Sequence, residues 1–270
     1  MIGNDSSFDR RSFLKVTGAA GTIGLAGLAG CTGGDEGEGE TTEEPPELVA
    51  GTAPGFPPFE EKDGDELIGF DIDLLEAVVA ETDYELDGWE EFEFGSLSPA
   101  VQEGKIDVIA AAMTINDDRD ESIDFTDPYY DANQAVLVAN ETDFGFGSLP
   151  DLEGYKLGAQ KGTTGEGVIQ DELIDEGLVS EDDYNSYEQY VLAIEDLLNG
   201  NIDAVVLDTP VADSFVADRE VTVAFTYETG EQYGFGIREG ESDLQAALND
   251  GLATVNDDGT YEDLVNEWFA

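Results

Sequence analysis

Arg119 and Asp208 are the two residues of this chain whose types and positions best suit the capture of a small charged molecule. Arg119 is one of three arginines that follow Cys31, with Arg219 and Arg238, in a chain of 10 Lys+Arg against 64 Asp+Glu. Where basic residues are so scarce, an arginine is kept for a task. A guanidinium grips a carboxylate through two parallel hydrogen bonds, which lysine cannot do. On the residues alone, a surface ion pair with Asp117, Asp118, Asp120 or Glu121 is the simpler use. Asp208 follows the apolar run 204–207, at the carboxyl end of a strand, where α/β folds place ligands. Its plain alternative is a solvated helix cap before Thr209 and Pro210. The glycine-flanked turn Gly162-Thr163-Thr164-Gly165 stands where a helix N-terminus would turn its free N–H groups inward, a ready anion site. A free α-amino acid needs such a set: a donor fork for its carboxylate and an acid for its ammonium.

Those residues need a scaffold, and the pattern of apolar blocks supplies one. Residues 48–52 read as a short strand ending at a turn. Gly69-Phe70 leads to an amphipathic helix with Ile72, Leu75 and Val79 on one face. Residues 106–113 form a continuous apolar run, the mark of a strand buried on both faces of a parallel sheet. A further strand is expected at 135–139. A second strand–helix series starts at 155–159, with helices near 165–176 and 188–199 and a buried strand at 204–207. The chain returns through 233–238, then forms a helix carrying Leu244, Leu248 and Leu252 and a short helix over 261–269. Alternating strands and helices predict an α/β fold with parallel sheets, here in two lobes.

The formal net charge is −54. Such a surface repels nucleic acid and anionic membrane, so neither is an expected partner. It also repels itself, unless molar salt shortens the Debye length to about 3 Å. The charge and the scarcity of lysine read as adaptation to high salt, as in a halophilic archaeon. With no histidine and one cysteine, catalysis would fall to a poised carboxylate, so no enzyme activity and no cofactor are expected. Only hard cations such as calcium would suit these oxygen-rich side chains. No Asp-x-Asp-x-Asp-Gly loop with a closing Glu occurs, so no metal site is expected.

The first residues carry a different message. Asp9-Arg10-Arg11-Ser12-Phe13-Leu14-Lys15 looks like a twin-arginine export signal, and an uncharged run over 16–30 follows. That run is too short to span a bilayer, which takes about 20 residues. It fits the apolar region of a signal peptide. It ends in Leu28-Ala29-Gly30-Cys31, which resembles a lipobox, so Cys31 is the expected lipidation site. Residues 1–31 are thus an export-and-anchor signal, and 32–47 an acidic, disordered tether. The mature protein is expected on the extracellular face of the membrane, held by its lipid alone.

From residue 47 to 269 the chain resembles the polar-amino-acid-binding family of ABC-transporter solute-binding proteins. The resemblance rests on ordered blocks: Gly51-Thr52 through Phe56-Pro57-Pro58-Phe59, and Gly69-Phe70-Asp71-Ile72-Asp73-Leu74. Gly104-Lys105-Ile106-Asp107-Val108-Ile109, Met113-Thr114-Ile115 with Arg119, and Asp124-Phe125-Thr126-Asp127-Pro128-Tyr129-Tyr130 follow. Then come Gly162-Thr163-Thr164-Gly165, Gly200-Asn201-Ile202-Asp203-Ala204-Val205 with Asp208, and Asp258-Gly259-Thr260-Tyr261. The resemblance implies a type II periplasmic-binding-protein fold, two α/β lobes joined by two crossing strands, here 135–139 and 232–237. Lobe 1 would be 47–136 plus 233–270, and lobe 2 would be 137–232.

The resemblance also assigns roles. Arg119 takes the ligand carboxylate, assisted by the Thr114 hydroxyl and by N–H groups near Ala112, Thr114 and Thr164, and Thr163 of the same turn also binds the ligand. Asp208 accepts the ammonium. Phe56 and Phe94 sandwich the side chain, with core packing as their alternative, and Gln160 touches the side chain. Members that bind basic amino acids often carry an acid where this chain has Ala53, so a polar neutral or acidic amino acid is expected, with Gln160 or Lys161 as its partner. The expected partners are ABC permease and ATPase subunits, and the protein is expected to be a monomer. A sensory receptor module and an exported dehydratase share this fold and stand as alternatives. The chain stops at Ala270 directly after the last matching block, which speaks against fusion to a signalling domain.

Overall fold

The computed structural model describes residues 45–142 and 144–270. The signal peptide, Cys31 and residues 32–44 of the tether lie outside the described residues. The first strand, β1 (Glu47–Thr52), is followed by a small hairpin, β2 (Glu61–Asp63) and β3 (Glu66–Ile68). Helix α1 (Phe70–Ala80) buries Phe70, Ile72, Leu74, Leu75, Val78 and Val79. Its entry needs a glycine: Gly69 has φ 142°, and a Cβ there would stand 2.0 Å from the Phe59 carbonyl oxygen. Then come β4 (Glu85–Glu91), α2 (Phe94–Gln102), β5 (Val108–Ile109), the single turn α3 (Asp117–Asp120) and β6 (Ile123–Phe125).

The second series is β7 (Tyr130–Ala139), β8 (Leu157–Gln160), α4 (Thr164–Val168) running on into a wider π-turn at Ile169–Ile174, β9 (Tyr184–Tyr187) and α5 (Tyr190–Leu198). It continues with β10 (Ala204–Asp208), α6 (Thr209–Asp218) and the long β11 (Val221–Tyr233). The chain ends with β12 (Gly236–Arg238), α7 (Ser242–Asp257) and α8 (Thr260–Phe269).

Two five-stranded sheets result, in the orders β4-β1-β5-β12-β6 and β11-β7-β10-β8-β9. The two-lobed α/β fold is as expected. The sheets are mixed rather than parallel throughout, because β7 runs antiparallel to β10 and β11, and β12 antiparallel to β5 and β6. Several elements escaped the sequence pattern, among them α2, β6, β9 and α6. Strand β4 (ELDGWEE) is an edge strand whose charges mask it, and in β11 most residues are half-exposed or exposed, so no apolar run betrays its 13 residues.

The first crossing lies ahead of the expected 135–139: Gln134 to Leu137 pair with β10, so Ala135 and Val136, expected in lobe 1, are strand residues of the second sheet. The second falls within the expected 232–237. The chain passes between sheets from β6 to β7 and from β11 to β12. The two passages run side by side: Tyr130 pairs with Tyr233, and Ala132 with Glu231. The Thr126 and Tyr129 amides donate to the Phe235 and Tyr233 carbonyls. Rings of Phe59, Phe70, Tyr130, Tyr233 and Phe269 pack around this junction. Phe59 is fully buried there, a site where truncation to Ala costs about 3–5 kcal/mol.

The apolar run 106–113 is a strand only at Val108–Ile109. It stays buried but turns, and Ala112 takes φ 45°, which is uncommon for a residue with a side chain. The Asp71 carboxylate accepts the Ala112 N–H at 2.6 Å and holds that turn. Thr114 then meets the crossing as a bridge partner of Tyr233.

Candidate ligand site

The lobes are in contact along a seam. Grooves of about 790 Å³ and 560 Å³ open on it. The first is lined by Arg119, Gly162, Thr163, Thr164 and Tyr227, the second by Pro54, Gly55, Glu93, Gln189 and Arg219.

Arg119 sits on the one-turn helix α3, whose N-cap Asn116 accepts the Arg119 amide. The cap aims the side chain away from its acidic neighbours. Its guanidinium donates to the Thr114 carbonyl at 2.6 Å and, across the seam, to the Gly162 carbonyl at 2.9 Å. It lies 5.3 Å from the centre of the Phe94 ring, a cation–π distance. Arg238 and three lysines form ion pairs, whereas Arg119 forms none among the described residues. The surface ion pair that its neighbours suggested is absent. Burial lowers its pKa, opposed by the charges of Asp208 and Glu231.

Asp208 ends β10 and is 3% exposed. It occupies the N-cap position of α6, yet its side chain makes no capping bond, so the cap alternative also fails. Its Oδ1 instead accepts from Gln134 Nε2 at 2.8 Å and from the Tyr233 hydroxyl at 2.9 Å. Burial pushes its carboxyl up to about 8, and the nearby Glu231 charge adds to this against those two hydrogen bonds.

The structure brings Thr114 and Thr164 together from opposite lobes, with hydroxyls 2.9 Å apart. Phe56 is buried and packs against Tyr190 across the seam, and a Cβ added at Gly162 would stand 3.8 Å from the Phe94 ring. Gln160 is buried at the end of β8, and its Oε1 has no hydrogen-bond partner. Three expectations need correcting. The Ala112 N–H is taken by Asp71 and is not free for a ligand. The Thr163 hydroxyl donates to the Gln160 carbonyl, meets the Tyr190 hydroxyl and caps the Glu166 amide, so it serves the fold. Lys161 is exposed and lies 3.9 Å from Glu188, so it is a surface residue.

Three acids that matter were missed, because nothing marks three carboxylates among 64. Glu231, on β11, accepts from Gln134 and Thr229 on one oxygen and from Thr114 on the other. Asp71 is fully buried, and its carboxyl is raised to about 7 by burial against the bonds from Ala112 and the Tyr129 hydroxyl. Glu60, held beside Phe56 by a backbone bridge, is fully buried with neither carboxylate oxygen hydrogen-bonded. Burial first, then Asp71 and Asp208, raise its pKa well above the usual carboxylate range. Among the described residues, no cluster of three or more acids, histidines or cysteines is arranged to hold a metal ion.

Comparison with known proteins adds to this geometry. The model of the bacterial extracellular solute-binding proteins, family 3, matches residues 48–270. A Campylobacter jejuni protein named "Probable histidine-binding protein" is 35% identical over 224 residues, covering 82% of this chain and 84% of its own length. The ABC transporter arginine-binding protein 1 of Escherichia coli is 33% identical over 226 residues, covering 81% and 89%. The structure of an ancestral arginine-binding protein bound to arginine superposes with a TM-score of 0.78 at 35% identity, covering 84% of this chain and all of that one.

Proposed function

The chain belongs to the bacterial extracellular solute-binding proteins, family 3, and from that premise we propose that it captures a free amino acid with a cationic side chain, arginine above all, for an ABC-type uptake transporter. Arg119 receives the α-carboxylate, with the Thr114 and Thr164 hydroxyls beside it. Asp208 receives the α-ammonium. Glu60 receives the side-chain cation, and Phe56 and Phe94 flank the stem and exclude water. This revises the expectation of a neutral or acidic ligand. Ala53 carries no acid, but Glu60, farther along the same segment, supplies one.

The observation that carries the reading is Glu60, fully buried with two oxygens that nothing donates to. A buried carboxylate without a partner is costly, and it either neutralises or waits for a cation. A guanidinium has five N–H donors in a planar fork suited to a carboxylate. The arginine-binding and histidine-binding relatives support the same class. Closure follows from ligand contacts that need both lobes, which shift the population to the closed form. Among the described residues no helix is long and apolar enough to cross a membrane. Attachment through Cys31, after twin-arginine export, belongs to the same proposal and would keep the domain beside its permease.

Titration calorimetry at molar KCl with L-arginine, L-lysine, L-histidine, L-glutamine and L-glutamate tests it. Arginine binds tightest and glutamate weakest. Tighter binding of glutamine or glutamate than of arginine overturns the ligand class.

A further inference from the structure

Glu231 is a buried acid to which the reading above gives no task. An irregularity in the β11–β7 pairing places it: Tyr227 pairs with Gln134, and the next pair is Glu231 with Ala132. The intervening residues bulge, with Gly230 at φ 65° and the Thr229 and Gly230 amides both donating to Asn133 Oδ1 at 3.0 Å. The bulge turns the Glu231 side chain inward, where it is 7% exposed. There one nitrogen, Gln134 Nε2, donates to Glu231 Oε1 at 2.7 Å and to Asp208 Oδ1 at 2.8 Å. Two buried carboxylates thus flank a single amide nitrogen. Among the described residues neither has a cation within 4 Å. The other oxygen of Glu231 holds the Thr114 hydroxyl, beside the carbonyl that Arg119 grips. The pair therefore borders the place assigned to the α-carboxylate, as the amino group of an α-amino acid requires.

We propose that Glu231 is a second ligand-binding acid, which with Asp208 forms a carboxylate pair that receives the ligand's α-ammonium. This rests on the assignment of the ammonium to Asp208. The groups facing the pair are Tyr233 on β11, Tyr190 on α5, Glu60, and Arg119 on α3. Of these only Arg119 is cationic. When an ammonium enters, its charge replaces the proton of Asp208, which leaves to solvent. Capture is then an exchange of one cation for another.

Empty, Asp208 keeps its proton up to about pH 8, where burial first and the Glu231 charge second place it. Below that pH, ligand must expel the proton, so affinity climbs as pH rises, about tenfold per unit for each proton, and levels off above. Burial, Asp71 and Asp208 raise the Glu60 pKa as well, so a cationic side chain placed beside it favours loss of its proton to solvent in the same direction.

Titration calorimetry with L-arginine at molar KCl, in buffers of different ionisation enthalpy, counts these protons. The wild-type protein releases the Asp208 proton as arginine binds below about pH 8. Glu231→Gln weakens every α-amino acid, and its rising limb of affinity moves to lower pH because Asp208 loses the charge of its neighbour. Equal affinities and pH profiles in wild type and Glu231→Gln overturn the proposal and leave the ligand assignment standing. Failure of arginine and of every other α-amino acid to bind the wild type overturns both. Should Glu231→Gln not fold, Glu231→Ser is read by the same two measurements, with the same outcomes.

Discussion

Replacing Glu60 by Gln separates recognition of the side chain from recognition of the α-amino acid core. Glutamine keeps the shape and removes the charge. In the ligand-free protein burial, Asp71 and Asp208 all oppose ionisation of Glu60 and raise its pKa well above the usual carboxylate range. Neither of its oxygens has a hydrogen-bond partner, so the empty fold loses no favourable interaction in Glu60→Gln. The liganded state does. Removing one partner of a buried, hydrogen-bonded charge pair costs about 2–5 kcal/mol, which is about 30- to 5,000-fold in affinity. Calorimetry with L-arginine should show that loss, and with L-glutamine, which brings no side-chain charge, affinity should hold. Circular dichroism and a thermal melt establish that the variant is folded. Equal weakening of both ligands would refute the reasoning, since it would place Glu60 in the scaffold. Unchanged arginine affinity would refute it too.

Arg119→Ala should weaken every α-amino acid, by about 2–5 kcal/mol, because the carboxylate it grips is common to all of them; calorimetry over the same panel checks this. Gly162→Ala should cost about 1–2 kcal/mol from its left-handed backbone (φ 78°) and also hinder closure, since its Cβ would lie 3.4 Å from Gly95 across the seam. Small-angle scattering with and without arginine reads the closure. Ligand-free stability should fall as pH rises from about 4 to about 8. Asp71 and Asp208 have folded pKa values of about 7 and about 8, above their ordinary 3.8, so the folded state binds more protons in that window and loses ground as they leave. Asp71 alone would contribute on the order of 4 kcal/mol across it. Chemical denaturation at several pH values measures the slope, and saturating arginine should flatten it.

What the sequence made legible was the apolar framework and the rare residue. Helix α1, strand β10 and helix α5 announce themselves through burial periodicity, and Arg119 through scarcity. The acids of the site were illegible for the opposite reason. Glu60, Asp71 and Glu231 differ from the other acids only in being buried, and burial is a tertiary property. The turn at Ala112 was hidden because its cause, Asp71, lies 41 residues away in sequence. Composition favoured an unbroken strand there. Ala53 misled in a related way. A single position was asked to report the charge of a pocket that several segments build.

The same disproportion bears on selectivity. A net charge of −54 attracts any cation, and at low ionic strength it would draw basic amino acids toward the surface. In molar salt the Debye length is about 3 Å, and that field reaches no farther than contact. Surface acids then hydrate the protein but do not choose its ligand. Choice falls to carboxylates that salt does not reach, and Glu60 and Asp208 are buried. The anionic end of the ligand poses the harder problem, since every exposed acid repels it. The structure answers with one guanidinium that forms no ion pair among the described residues, held between the Thr114 and Gly162 carbonyls and laid against Phe94. Were Arg119 neutralised by Asp117, Asp118, Asp120 or Glu121, a ligand carboxylate would have to displace that acid. Turning it inward, away from four neighbours of opposite charge, is therefore as much a condition of binding as having an arginine there at all.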